Sequence, residues 1–227
     1  MAAWPDAVEA LLREQERLAA VSAPLWRPSP GAALGGCFVC FPRGLTGRGA
    51  RGDRCWSAAV VVENGRIVSS AVCELEASAA YESGLLALRE GPALERSVRA
   101  LSRRPDALMV NATGRDHPRR AGLALHLGAV LDVPTVGVTQ RPLIAQGTWP
   151  GSERGATSPL LVGDEQVGHW VRTRRGRHPL AVDAGWRTDL DGAVEIVLAA
   201  TGRSRTPEPL RQARRLARVR RAQASRA

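Results

Sequence analysis

Lysine is absent: all 32 basic residues of the 227-residue chain are arginine. A GC-rich coding sequence would produce that bias, but the chemical consequence is the same whatever the cause. No lysine is available as a catalytic ammonium or general acid. Long apolar runs are missing too, and none approaches the roughly 18–20 residues of a membrane-spanning helix. The acids Asp6, Glu9, Glu14 and Glu16 within Met1–Ala20 exclude a secretory signal. The expectation is a cytoplasmic protein, off the membrane and monomeric. Cysteine is sparse, with Cys37, Cys40, Cys55 and Cys73 only. Cys37 and Cys40 have CxxC spacing, and two more thiols could complete a zinc site. That pair sits in an apolar strand-like run, where positions three apart face opposite ways, and no second CxxC exists. Buried, reduced thiols are the better reading. No internal repeat occurs.

What is present is ordinary for a globular chain: 44% apolar residues, enough for one large or two small domains. The charge is lopsided. Residues 203–227 hold nine arginines against one acid, Glu208, so +8 of the net +10 lies there. Such a segment suits an anionic polymer, nucleic acid first. A solvated helix or frayed terminus is the alternative. The division expected is a domain over 1–202 and an Arg-rich extension over 203–227.

Along the chain, Val8, Leu11, Leu12, Leu18 and Val21 have helical spacing after Trp4-Pro5-Asp6. A strand is expected over Gly35–Phe41. Ala58–Val62 and Ile67–Cys73 should form a hairpin around Asn64-Gly65. Gly91-Pro92 is expected to interrupt the chain before a helix over Ala93–Leu101. Then come a strand Ala107–Val110, a helix over 119–131, and short strands at Pro134–Val138, Leu160–Val162, Gly168–Arg172 and Leu180–Val182. A helix Asp189–Ala200 and a basic helix or tail Pro207–Arg221 close the chain. Three meandering strands followed by alternating helices and strands predict a mixed sheet flanked by helices.

Chemistry is expected where the strand Ala107–Val110 ends. Asn111, the Gly114 turn and His117-Pro118-Arg119-Arg120 follow it, and the carboxyl end of a strand before a helix is a common α/β site. An amide at 111 is the wrong group for a metal nuclease.

Four segments carry a resemblance. Tyr81-Glu82-Ser83-Gly84-Leu85-Leu86-Ala87-Leu88-Arg89-Glu90-Gly91-Pro92 is similar to Tyr-x-x-Gly-x-Leu-x-Phe-Arg-Glu-x-Pro. His117-Pro118-Arg119-Arg120-Ala121-Gly122-Leu123-Ala124 is similar to His-Pro-Arg-x-x-Gly-x-Ala. Asp132–Val138 and Pro207–Arg211 match two further segments, in order and at matching spacing. Together they resemble the endonuclease V family over roughly residues 5–215. The resemblance implies an RNase H-like α/β fold and cleavage of DNA or RNA near deaminated bases such as inosine, a repair activity. It also implies Mg²⁺ or Mn²⁺ held by carboxylates, because hard cations want charged oxygen ligands.

Carried over residue by residue, the implied site mostly fails. Glu90 keeps its carboxylate and could bind metal, weakly or not at all. The first-strand aspartate position falls at Phe38, and the fourth-strand one at Asn111. The assisting lysine falls at Gln140, and the late Gly-His at Gly185-Trp186. Asp116, Glu82 and Asp183 could move into the vacancy, or be ordinary turn and surface acids. The recognition half is better kept. Tyr81 matches the family's wedge, Gly84 and Leu85 match the segment beside the extruded base, and His117, Arg119 and Arg120 are candidate phosphate contacts. Ala80 and Ser83 replace prolines of that wedge, and Glu82 adds a charge that phosphates repel. Three readings result. The first is an inosine-type or unpaired-base binder, a hydrolase by family that is inactive or much weakened and needs no cofactor. The second is an active metal endonuclease using Glu90, Asn111 and Asp116. The third is a protein-interaction scaffold.

Overall fold

The structure, a computed structural model, describes residues 4–224. Met1–Ala3 and Arg226, counted above in the terminal segments, lie outside the described residues. Eight strands make one sheet in the order β3-β2-β1-β4-β5-β8-β7-β6. They are β1 (Leu34–Cys40), β2 (Arg54–Glu63), β3 (Arg66–Glu76), β4 (Ala107–Val110), β5 (Thr135–Thr139), β6 (Thr157–Val162), β7 (Glu165–Val171) and β8 (Leu180–Ala184). β1, β4 and β5 are parallel neighbours, while β2 runs antiparallel between β1 and β3. The remaining three strands add antiparallel pairs beyond β5. The β2–β3 hairpin turns at Asn64-Gly65, both with positive φ (50° and 73°), as a type I′ turn requires.

Helices α1 (Val8–Ala20), α2 (Leu86–Arg99), α3 (Leu123–Leu131), α4 (Leu190–Ala199) and α5 (Glu208–Ala224) cover the sheet. β4 shows why both faces need cover. Leu108 and Val110 pack with Leu94 and Val98 of α2 and Leu127 of α3. Ala107 and Met109 pack with Ile196 of α4 and Leu210 of α5. All four residues of β4 are fully buried, so it reads as a continuous apolar run rather than an alternating one.

Two expectations change. Gly91-Pro92 does not interrupt: α2 runs through both as one helix. Pro92 forfeits a single backbone bond, and Gly91 lets the Trp4 ring sit where a Cβ would collide. Trp4 is held there by a 2.6 Å bond to Glu95 and by stacking on His126 at 4.5 Å. Those contacts offset the proline's cost. Second, the helix expected from 119 starts at Leu123, because His117–Arg120 close a turn through the 2.9 Å bond from Arg120 N to His117 O, with Arg120 at φ 54°.

The Arg-rich segment, as far as residue 224, is no free tail. α5 buries Pro209, Leu210, Ala213 and Ala217, and Gly36 of β1 admits its backbone where a Cβ would meet Leu210 N at 2.5 Å. Cys37 and Cys40 lie in different apolar clusters on opposite faces of β1, as the strand period requires. Among the described residues, no helix is long and apolar enough to cross a membrane.

Candidate functional site

The carboxyl ends of β1 and β4 meet the loop that leads into α2. Tyr81, 46% exposed, stands on that loop. Arg48 grips its backbone twice, accepting from Tyr81 N at 2.7 Å and donating to Tyr81 O at 2.9 Å. Gly84 follows at φ 77°, a conformation favouring glycine. Its carbonyl accepts from Gln15 Nε2 at 3.1 Å, His117 Nε2 at 3.0 Å and Arg119 at 3.1 Å. His117 Nδ1 accepts from Arg119 N at 3.2 Å, so the ring is neutral with its proton on Nε2. Burial pulls this imidazole down to about 4, which keeps it neutral at physiological pH.

His117 and Arg119 are therefore spent on the loop. His117 is buried, Arg119 also bonds Gln15 at 2.6 Å, and Arg120 bonds Glu165 and the His117 carbonyl. All three thus have internal partners: His117 and Arg119 bond the loop carbonyl of Gly84, whereas Arg120 pairs with Glu165 of β7. Leu85 is buried in the core beneath the loop. A cavity of about 180 Å³ opens beside it, lined by Tyr81, Gly84, Leu86, Asn111, Thr113 and Leu123 among others.

A second cavity of about 240 Å³ adjoins, lined by Phe38, Tyr81, Glu90 and Asn111 with apolar neighbours. Tyr81 and Asn111 line both cavities. Glu90 has no hydrogen bond or ion pair among the described residues, and burial pushes its carboxyl up to about 7. Phe38 lines this cavity and also reaches α5. Its ring clusters with Leu216 and Ala217 of α5, with the Arg214 guanidinium 5.0 Å and that of Arg218 5.9 Å from the ring centre. Exposed Asn111 meets Arg214 at 3.5 Å. Gln140 is exposed just beyond β5, at the same end of the sheet.

Trp186 is elsewhere. It follows β8 and sits near the start of β5, packing with Leu18 and Leu125 and donating to Asp132 at 3.3 Å. It lines a different cavity, with Ala19–Val21 and Arg115. The structure thus brings together Phe38, Tyr81, Glu90 and Asn111, and leaves Trp186 apart.

None of the acids considered as replacements is free to move in. Asp116 is fully buried and accepts backbone N–H bonds from Leu143, Ile144 and Ala145. Glu82 is exposed and paired with Arg48. Asp183 accepts from Gly114 N and, at 3.0 Å, from Arg115 N, leaving Oδ2 buried without a hydrogen bond among the described residues. A hard divalent cation needs several charged oxygens. A phenyl ring, a neutral amide, one proton-prone carboxyl and an adjacent guanidinium do not fit it.

Asp183 gives a pH prediction. Burial, reinforced by Asp116, raises it from 3.8 to about 8. The folded state thus prefers the protonated acid. Its stabilising effect is complete below the unfolded value and is lost as pH rises through about 8. The melting temperature should fall by several degrees from pH 5 to about 8, and Asp183→Asn should flatten the trend while keeping the Oδ1 bonds. An unchanged slope in the variant would refute this assignment.

Two contributors were missed in the sequence. Gln15 is 1% exposed between Leu11 and Leu18; a polar residue on an apolar helical stripe was the available signal. Arg214 had no local signal, being one of many arginines.

The sheet order, with β2 alone reversed among the first five strands, defines an α/β protein of the RNase H-like class, with its candidate site at the ends of β1 and β4. The family model for Endonuclease V matches residues 45–215, and the chain belongs to that family. Endonuclease V of Methanopyrus kandleri is 41% identical over 170 residues, 74% of this chain and 73% of that one. The crystal structure of Endonuclease V from Streptomyces avermitilis has a TM-score of 0.86 at 35% identity, covering 98% of this chain and 96% of that one. Endonuclease V of Ciona intestinalis, solved in complex with a 24mer DNA containing an inosine followed by a ribo-adenosine, shares the fold with a TM-score of 0.77 at 20% identity, over 96% of this chain and 98% of that one.

Proposed function

We propose that this Endonuclease V-family protein binds nucleic acid at an inosine-type or unpaired base and does not cut it by divalent-metal chemistry. The observation that carries the reading is Arg214 beside Asn111 and over Phe38, at the strand ends where the family resemblance calls for carboxylates. A guanidinium there repels a divalent cation. The recognition half supports the binding part: Tyr81 is exposed at the rim of a cavity whose loop is fixed by three bonds to one carbonyl. A rigid loop presents its aromatic residue at little entropic cost. Glu90, an acid without a hydrogen bond or ion pair among the described residues, favours residual cleavage as the competing reading.

One assay decides between them. Inosine-containing single- and double-stranded DNA and RNA are incubated with Mg²⁺ and with Mn²⁺, and binding is measured on the same strands. Binding with no cleavage above that of Glu90→Ala is expected. Cleavage that disappears in Glu90→Ala would establish a working nuclease instead. Tyr81→Ala should reduce the preference for inosine strands about tenfold, the size of one lost aromatic–base contact. If the preference is untouched, the wedge role is wrong.

A further inference from the structure

Arg211, Arg214, Arg218 and Arg221 recur every three or four residues of α5, which puts them on one stripe of the helix. The outer two are engaged: Arg211 pairs with Glu208, and Arg221 donates to the Phe41 carbonyl at 3.0 Å. The inner two differ. Arg214 and Arg218 converge on the same Phe38 ring. Neither has a carboxylate partner among the described residues, and the nearby Glu74 is occupied by Arg54 and Arg220. Burial and the charge of Arg218 both lower Arg214 from its ordinary value, the mark of a cation held beside another cation. Such an arrangement is costly until an anion enters it.

We propose that Arg214 and Arg218 clamp one phosphodiester of a nucleic-acid strand without a metal ion, with Phe38 backing both guanidinium planes and Asn111 orienting Arg214. The inference rests on the nucleic-acid-binding reading above. Guanidinium planes match phosphate oxygens in a fork, and an aromatic face supports them while leaving their N–H edges free. The residues at 38 and 111 then make sense together. Aspartates there would pair with the two arginines and cancel their charge, whereas a phenyl ring and a neutral amide leave it available. The location suits a strand as well, because Asn111 also lines the cavity beside Tyr81. A nucleotide whose base enters that cavity would bring its own or the next phosphate to the arginines.

The test measures anisotropy of a labelled inosine-containing single strand with EDTA present, across a salt series. It compares the wild type with Arg214→Gln/Arg218→Gln, with Arg218→Gln alone, and with Arg13→Gln as an exposed control on α1. The double variant should lose about tenfold in affinity, and its slope of log affinity against log salt should become shallower by about 1. Arg218→Gln should give part of that effect, and Arg13→Gln none. Because Arg218 is exposed, the single variant keeps the test valid if the double variant folds poorly. Wild-type binding that is unchanged in affinity and slope in both variants overturns the clamp and leaves the nucleic-acid reading standing. A wild type that binds no strand overturns that reading and the clamp with it. A melting-temperature rise with inorganic phosphate at matched ionic strength, abolished in the double variant but without strand binding, would assign the arginines to a free phosphate and overturn the phosphodiester assignment.

Discussion

Phe38→Asp/Asn111→Asp/Arg214→Ala is expected to bind a divalent metal ion far more tightly than the wild type. The two aspartates would join Glu90 at the strand ends, and removing Arg214 clears the cation that now stands 3.5 Å from residue 111. Saturating Mn²⁺, about 100 times its dissociation constant, would then stabilise the fold by about 2.7 kcal/mol. For a chain of this size that raises the melting temperature by roughly 5–10 °C. The same Mn²⁺ should leave the wild type unmoved. The double aspartate variant that keeps Arg214 should respond less, since Asp at 111 would pair with the guanidinium before any metal. A wild-type rise equal to that of the triple variant would contradict the misfit between this site and a divalent cation. No rise in the triple variant would mean that the ends of β1 and β4 do not converge closely enough to chelate.

The second large effect concerns Arg89, which is 3% exposed. Its guanidinium donates to the Ala50 and Ala79 carbonyls at 3.1 and 2.6 Å and to Asp53 at 2.8 Å, and it stacks on Phe41 at 4.1 Å. It joins the first residues of α2 to both the 42–54 loop and the segment leading to Tyr81. Arg89→Met fills a similar volume but strands two carbonyls and a carboxylate. Losing a buried ionic network of this kind is expected to lower the melting temperature by about 10 °C. Hydrogen exchange should show Tyr81 N–H, now bonded to Arg48 O, losing protection along with the loop. A melt within two degrees or so of wild type would mean that the loop is held chiefly by Arg48 and the Gly84 carbonyl.

The loop also shows how far the linear sequence could be read. Tyr81, Gly84 and Glu90 stand out because they fall in one short segment with recognisable spacing, and the Asn64-Gly65 hairpin follows from turn chemistry alone. Arg119 and His117 were visible too, but their chemical use was not. Whether an arginine at a helix start meets a phosphate or an internal carbonyl depends on what folds over it, and here Gly84 O takes the donors. Trp186 is a similar case. Its motif position suggested the strand-end site, yet β8 runs antiparallel to β5, which carries residue 186 to the opposite end of the sheet from Asn111.

The sequence by itself determined the alternating and continuous apolar patterns that become the strands, the family segments, and the phenyl ring and amide at 38 and 111, where the family resemblance calls for carboxylates. These are local properties, fixed by residue type and short-range spacing. Only the tertiary structure decided that α2 continues through Gly91-Pro92, because the compensating contact comes from distant Trp4. It alone laid the Arg-rich helix across β1 and brought Arg214 and Arg218 over Phe38. Contacts between residues so far apart along the chain depend on sheet order and helix packing, which no window of sequence encodes.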